Sequence, residues 1–184
     1  MDRVEERTLG SRRGYDGTLI SLRVDEVELP GGRRTLREVV EHPGAVGILA
    51  WDDERLAVVT QWRQAAAQAL LEIPAGTLDP GEEPEPTARR ELAEEMQLTA
   101  RTWEAGPSFF TAPGFCTERL SLFLATGLSP APEGHAADDE EIERGWLTLD
   151  DALRAIDDGR IVDAKSIAGV LWLARRLATQ AAGA

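Results

Sequence analysis

Cysteine occurs once, at Cys116, so no disulfide can form within the chain and a reducing, cytoplasmic setting is expected. With two histidines and that single cysteine, there is no zinc-type cluster of ligands. Lysine also occurs once, at Lys165, and nearly every other cation is arginine. Cations are outnumbered: 20 Lys and Arg stand against 33 Asp and Glu, a net charge of −13. That balance argues against nucleic acid or an anionic membrane as the main partner. It leaves room for a small anionic substrate, provided metal ions and a few arginines neutralise the site locally. Long apolar runs are missing too. The opening MDRVEERTLG has no apolar segment of the secretory kind, and nothing approaches bilayer-spanning length. No internal repeat is present.

The 184 residues suffice for one domain with a sizeable core and a small appended element, and 42% apolar with 29% charged content is that of a globular chain. Residues 1–14 are polar and read as a loose arm or an edge strand. Leu19–Leu29 reads as a strand in which Ile20, Leu22 and Val24 alternate before the phase slips at Asp25-Glu26, which predicts a bulge or bend. Pro30-Gly31-Gly32 predicts a turn, and Thr35–Glu41 a returning strand. A two-stranded unit is marginal alone, so this hairpin must pack on the rest of the chain or on a second copy. His42-Pro43-Gly44 breaks the pattern. It divides a β element at 1–42, with a dimerisation role expected, from the main domain at 43–184.

In that domain, Ala45–Trp51 and Leu56–Arg63 predict a hairpin across Asp52-Asp53-Glu54, and strands are expected over Glu104–Thr111, Leu120–Thr126 and Glu143–Leu147. Residues 129–139 read as a mobile loop. Asp150-Asp151 should cap a short helix ending near Gly159, and Ala164–Thr179 should form an amphipathic helix. Strands with a few helices, the long one last, predict an α+β chain built as an α/β/α sandwich.

The stretch GTLDPGEEPEPTARRELAEEMQL, Gly76–Leu98, carries the chemistry. Glu91, Glu94 and Glu95 have the i, i+3, i+4 spacing that puts side chains on one helix face, while Ala88, Leu92 and Met96 form an apolar line. Pro84 and Pro86 fall in the first turn, where a missing N–H costs little. Three carboxylates on one face repel one another unless cations sit among them. In register, Gly76, Glu82, Arg90, Glu91, Leu92, Glu94, Glu95 and Leu98 resemble the Nudix box. Gln97 stands where that family has glycine, so the helix either exits differently or holds Gln97 in a strained left-handed conformation.

Segments outside the box are similar to ADP-ribose pyrophosphatases of the same superfamily: REVVEHPGAV at 37–46, TQWR at 60–63, LEIPAG at 71–76, TAPGFCTE at 111–118 and DDEEIE at 138–143. The resemblance implies the Nudix fold with a mixed sheet. It also implies Mg²⁺-dependent hydrolysis, with Mn²⁺ able to substitute, of the diphosphate bond of ADP-ribose or a related nucleoside-diphosphate sugar. Carboxylate and carbonyl oxygens suit Mg²⁺. Glu91, Glu94, Glu95 and the carbonyl of Ala75 are the implied metal ligands, with Arg90 and Glu82 holding them in place. Glu140 is the first choice for a loop-borne base or an extra metal ligand, ahead of Asp138 and Glu141, and Glu94 is the other residue assigned to catalysis. Arg37, matching a position that reaches across a dimer interface, Arg63 and Glu118 are the implied substrate contacts. Arg63 reads equally as an ordinary surface arginine, and Trp62 and Phe115 as base-stacking or simply rim residues. A homodimer is implied. Hydrolysis of a dinucleoside polyphosphate or another diphospho-sugar stays open, as does a Nudix-like ligand sensor without turnover.

Overall fold

The computed structural model describes residues 4–132 and 141–183 and divides into two compact units, Met1–Gly44 with Phe110–Arg119, and Ala45–Phe109 with Leu120–Ala184.

In the first unit, β1 (Arg7–Asp16), β2 (Ser21–Glu28) and β3 (Arg34–Glu41) form an antiparallel sheet in that order. The polar N-terminal stretch is therefore an edge strand, and the expected hairpin has a third strand. Cross-strand ion pairs hold β1, such as Arg7 to Glu28 at 2.9 Å and Arg13 to Glu41, although exposed pairs of this kind add little stability. The bulge expected at Asp25-Glu26 is not there, since β2 pairs continuously with β3 from Ser21 opposite Glu41 to Glu28 opposite Arg34. The irregularities sit in β1, between Thr8 and Gly10 and between Arg13 and Tyr15. The apolar phase slips in β2 because Val24 and Val27, on opposite faces of one continuously paired strand, are both buried. The segment after Phe110 joins this sheet through the main chain, with Val40 N–H donating to Phe115 O at 2.7 Å and Thr117 N–H to Val40 O at 2.9 Å.

The second unit contains β4 (Ala45–Trp51), β5 (Arg55–Arg63), β6 (Gln68–Glu72), β7 (Ala75–Thr77), α1 (Pro84–Met96), β8 (Leu98–Phe110), β9 (Arg119–Pro130), β10 (Glu143–Thr148), α2 (Leu149–Asp157) and α3 (Ala164–Gly183). Its sheet runs β10-β5-β4-β9-β8, with β6 on β5 and β7 on β4. β4 is buried along its whole length and lies parallel to β9, from Ala45 opposite Leu120 to Trp51 opposite Thr126. Burial on both faces explains why AVGILAW reads as an unbroken apolar run. One face packs Leu49, Val58, Ile73 and Leu122 against Ala152, Val170 and Leu173 of α2 and α3. The other packs Val46, Ile48, Val59 and Phe123 against Ala88, Leu92 and Met96 of α1. This is the α/β/α sandwich with a mixed sheet.

Several boundaries differ from expectation. The hairpin of β4 and β5 pairs only at its tip, Trp51 opposite Leu56, because β7 and β9 take the hydrogen-bonding edges of β4. β9 continues through Ser129 and Pro130, so that part of the expected loop is strand; 133–140 lie outside the described residues. Thr148, not Asp150 or Asp151, caps α2, its Oγ1 accepting from Asp151 N–H at 3.1 Å. α3 runs to Gly183, past the expected end at Thr179.

Gln97 ends α1 in the left-handed conformation, φ 56° and ψ 37°, and its N–H donates to Ala93 O at 3.1 Å. The family glycine position thus keeps its backbone shape at a steric cost. Gln97 is exposed, so Gln97→Gly should raise stability by about 0.5–1 kcal/mol, a gain in conformational ease set against the freer unfolded chain. Urea denaturation at neutral pH measures it.

Candidate active site

The turn of α1 and its seat against β7 build the site. With Ala88, Leu92 and Met96 buried against the sheet, Glu91, Glu94 and Glu95 are carried on the side of the helix next to β7. The glycine of the box is where backbone and carboxylate meet: a Cβ on Gly76 would lie 1.9 Å from Glu91 Cδ and 2.0 Å from Oε1. Glycine is required here for space, since only a bare backbone admits the Glu91 carboxylate.

Ala75 is oriented by the same strand. Ile48 N–H donates to Pro74 O at 2.8 Å, and Ala75 N–H turns away from β4 to donate to Glu95 Oε2 at 2.9 Å. In an extended residue N–H and C=O share a side, so the Ala75 carbonyl is directed toward the box helix. Glu95 itself is only 4% exposed.

Arg90 binds the acidic face together. Its Nη2 donates to Glu82 Oε2 at 3.0 Å and its Nη1 to Glu91 Oε1 at 2.7 Å and Glu94 Oε2 at 3.0 Å. It is the cation that three clustered carboxylates need. The Arg90 hydrogen bond, working against partial desolvation, holds the Glu82 carboxyl down at about 2 from its ordinary 4.5. A carboxyl depressed in the folded state stabilises fully above its unfolded value and loses that contribution as pH falls through the folded one. Glu82→Gln should therefore cost about 1 kcal/mol near neutral pH. The gap from the parent should close as pH drops from about 4.5 to about 2, which chemical denaturation across that range would track.

The donor set, three carboxylates and one carbonyl with a second layer of charge-assisted bonds, fits a hard divalent cation. Among the described residues no three such side chains converge on one point as they stand, with Arg90 lying among them.

Two cations escaped the sequence reading. Arg144 of β10 donates from Nε to Glu95 O and from Nη2 to Glu94 O at 3.4 Å, satisfying carbonyls at the end of a helix with no basic residue in its last turn. Nothing in the sequence marks a contact across that separation. Lys165 meets Glu72, and its only signal was being the one lysine in an arginine-based chain. Arg63 also lies in this unit and is paired in a two-point contact with Glu72 at 3.0 and 2.6 Å.

In the first unit, Arg37 makes a two-point contact with Glu6 at 2.9 and 2.5 Å, and its hydrogen bond to that carboxylate raises its pKa further. Glu118 accepts from Thr111 Oγ1 at 2.5 Å and has His42 Nδ1 at 3.7 Å. Trp62 and Phe115 are exposed at 60% and 59%, as rim aromatics are. Of the acidic loop, Asp138 and Glu140 lie outside the described residues, and Glu141 is exposed ahead of β10. No helix among the described residues is long and apolar enough to cross a membrane.

A family model described as the NUDIX domain matches residues 41–169, and one described as the nucleoside diphosphate sugar hydrolase N-terminal domain matches 6–40. The chain is 41% identical over 183 residues to the ADP-ribose pyrophosphatase of Bacillus subtilis, covering 98% of this chain and 99% of that one. It is 40% identical over 171 residues to the methanol dehydrogenase activator of Bacillus methanolicus, covering 92% of each. A crystal structure described as an ADP compounds hydrolase superposes with a TM-score of 0.84 at 21% identity over 96% of both chains, which places the fold. Nudix hydrolases generally use divalent metal ions. With the box in register, the sandwich around it and a family match spanning most of its length, the chain belongs to the Nudix family of hydrolases.

Proposed function

We propose that the chain is a Mg²⁺-dependent pyrophosphatase that hydrolyses the diphosphate bond of ADP-ribose, giving AMP and ribose 5-phosphate, or that of a close nucleoside-diphosphate sugar. The observation that carries this reading is the near end-to-end similarity to an ADP-ribose pyrophosphatase, in a chain that keeps all three box glutamates on the face of α1 beside Ala75. The match of residues 6–40 to a nucleoside diphosphate sugar hydrolase domain supports the sugar nucleotide over a dinucleoside polyphosphate. The relative from Bacillus methanolicus is named for its effect on a dehydrogenase, which specifies no substrate.

Glu91, Glu94, Glu95 and the Ala75 carbonyl hold the metal in this reading. A bound divalent ion supplies charge neutralisation at the diphosphate oxygens and lowers the pKa of a water. The protein's own groups do the rest. Glu95 is fixed by Ala75 N–H, and Arg90 steadies Glu91 and Glu94. Arg63 binds a phosphate by charge-assisted hydrogen bonds. Arg37 and Glu118 are the further substrate contacts, and Glu140 takes the proton from the attacking water, with Asp138 and Glu141 as the neighbouring alternatives. The protein acts as a homodimer through residues 1–42, supported by the exposure of Tyr15 and Leu36 in a sheet of three strands and of Leu19 in the turn between its first two. The lone cysteine supports a cytoplasmic setting.

An end-point screen of diphosphate substrates with Mg²⁺ tests the reading, with ADP-ribose expected among the best. Release of AMP from none of the nucleoside-diphosphate sugars would sink it. Hydrolysis in ¹⁸O-labelled water then reports which phosphorus is attacked.

A further inference from the structure

Glu72 is the most deeply buried carboxylate among the described residues, 1% exposed, and it serves two cations at once. Arg63 Nε donates to Oε1 at 3.0 Å and Nη2 to Oε2 at 2.6 Å, while Lys165 Nζ reaches the same Oε2 at 2.5 Å. Lys165 also donates to Asp163 Oδ2 at 2.9 Å. The cluster is anchored beside the box: Ser166 Oγ, fully buried, accepts from Ile73 N–H at 2.9 Å, two residues before Ala75.

Burial pushes the Glu72 carboxyl up, and the Arg63 hydrogen bond and the Lys165 charge more than offset it, so it stays ionised. A buried ion network is a poor source of stability compared with apolar packing, so its retention calls for another reason. The chain otherwise relies on arginine, yet a lysine stands here. A lysine ammonium is a point charge that can share one oxygen, whereas a second guanidinium would compete for the two-point contact.

We propose that Glu72 and Lys165 are positioning residues for Arg63, tuning it to bind a phosphate of a nucleoside diphosphate. Glu72 takes the Nε–Nη2 edge of the guanidinium and so sets the direction of the Nη1 edge. Lys165 offsets the carboxylate's charge, so that the attraction of Arg63 for an anion survives its pairing with Glu72. The inference rests on the reading of Arg63 as a phosphate contact.

The test is a double-mutant cycle with ADP-ribose and Mg²⁺, or with the diphosphate substrate that the screen selects. Glu72→Gln and Lys165→Met should each raise KM about tenfold while kcat moves less than about threefold. In an Arg63→Ala background the same changes should move KM less than about twofold, because they act only through Arg63. Equal KM effects in both backgrounds, or none in the parent, would overturn the proposal. If Arg63→Ala alone leaves KM unchanged, the phosphate reading of Arg63 fails and this inference goes with it. Should Glu72→Gln fail to fold by thermal melting, Lys165→Met completes the cycle from a less buried position, 13% exposed.

Discussion

Glu95→Gln should lower kcat/KM by on the order of 10²–10³-fold at fixed Mg²⁺, with little loss of fold. The substitution separates two jobs of one side chain. Glu95 Oε2 accepts the Ala75 N–H at 2.9 Å, and an amide oxygen can take over that bond. What the amide cannot supply is negative charge, which a divalent ion requires of its ligand set. Removing one of three clustered carboxylates also relieves repulsion on the helix face, so the melting temperature without metal should hold or rise slightly. The difference appears on adding Mg²⁺: the parent should gain stability with ion concentration by mass action, and Glu95→Gln should gain less or need more ion. Equal activity and an equal Mg²⁺-induced shift would remove Glu95 from the metal site.

Gly76→Ala should cost activity far more than stability. Its Cβ would fall 1.9 Å from Glu91 Cδ and 2.4 Å from Cγ, distances no structure tolerates, so Glu91 must move. The obstructing atoms are the far end of a flexible side chain, and re-aiming it costs about 1 kcal/mol. A carboxylate displaced by an ångström or more from its working position, however, costs on the order of 10²-fold in rate. Circular dichroism and urea denaturation should return a folded protein, while ADP-ribose hydrolysis falls and the Mg²⁺ concentration for half-maximal rate rises. A variant that unfolds outright, or one with parental activity, would show that the close approach of Gly76 and Glu91 does not shape the site. Glu91→Asp in the same background, a shorter carboxylate, distinguishes crowding from other causes by recovering part of the lost activity.

The expected strands and helices were legible where one residue's environment follows from its near neighbours. The α1 register follows from the spacing of Ala88, Leu92 and Met96, and its start from Pro84 and Pro86. β4 announced itself as an unbroken apolar run because a strand buried on both faces has no polar side to show. The phase slip in β2 misled for the same kind of reason. Period-two reading assumes one buried face, and Val24 and Val27 are buried on opposite ones. The cap of α2 was misplaced by two residues because Thr148 is the last residue of a strand, and strand and cap propensities compete there.

Gly76–Leu98 by itself carried the resemblance to the Nudix family. The spacing of Glu91, Glu94 and Glu95 is a property of helix geometry, and the register of the box around them is what points to a metal-dependent hydrolase. The same local rule marked Gln97 as the weak point of the helix end, and the backbone there is left-handed as glycine would have it. Only the tertiary structure decided which cation meets the carbonyls at the end of α1 and what occupies Arg63. Glu72 meets Lys165, and Arg144 meets the end of α1, across long stretches of chain. Those contacts are set by how the strands are ordered in the sheet and how the helices pack on its faces, and no local pattern of residues encodes that arrangement.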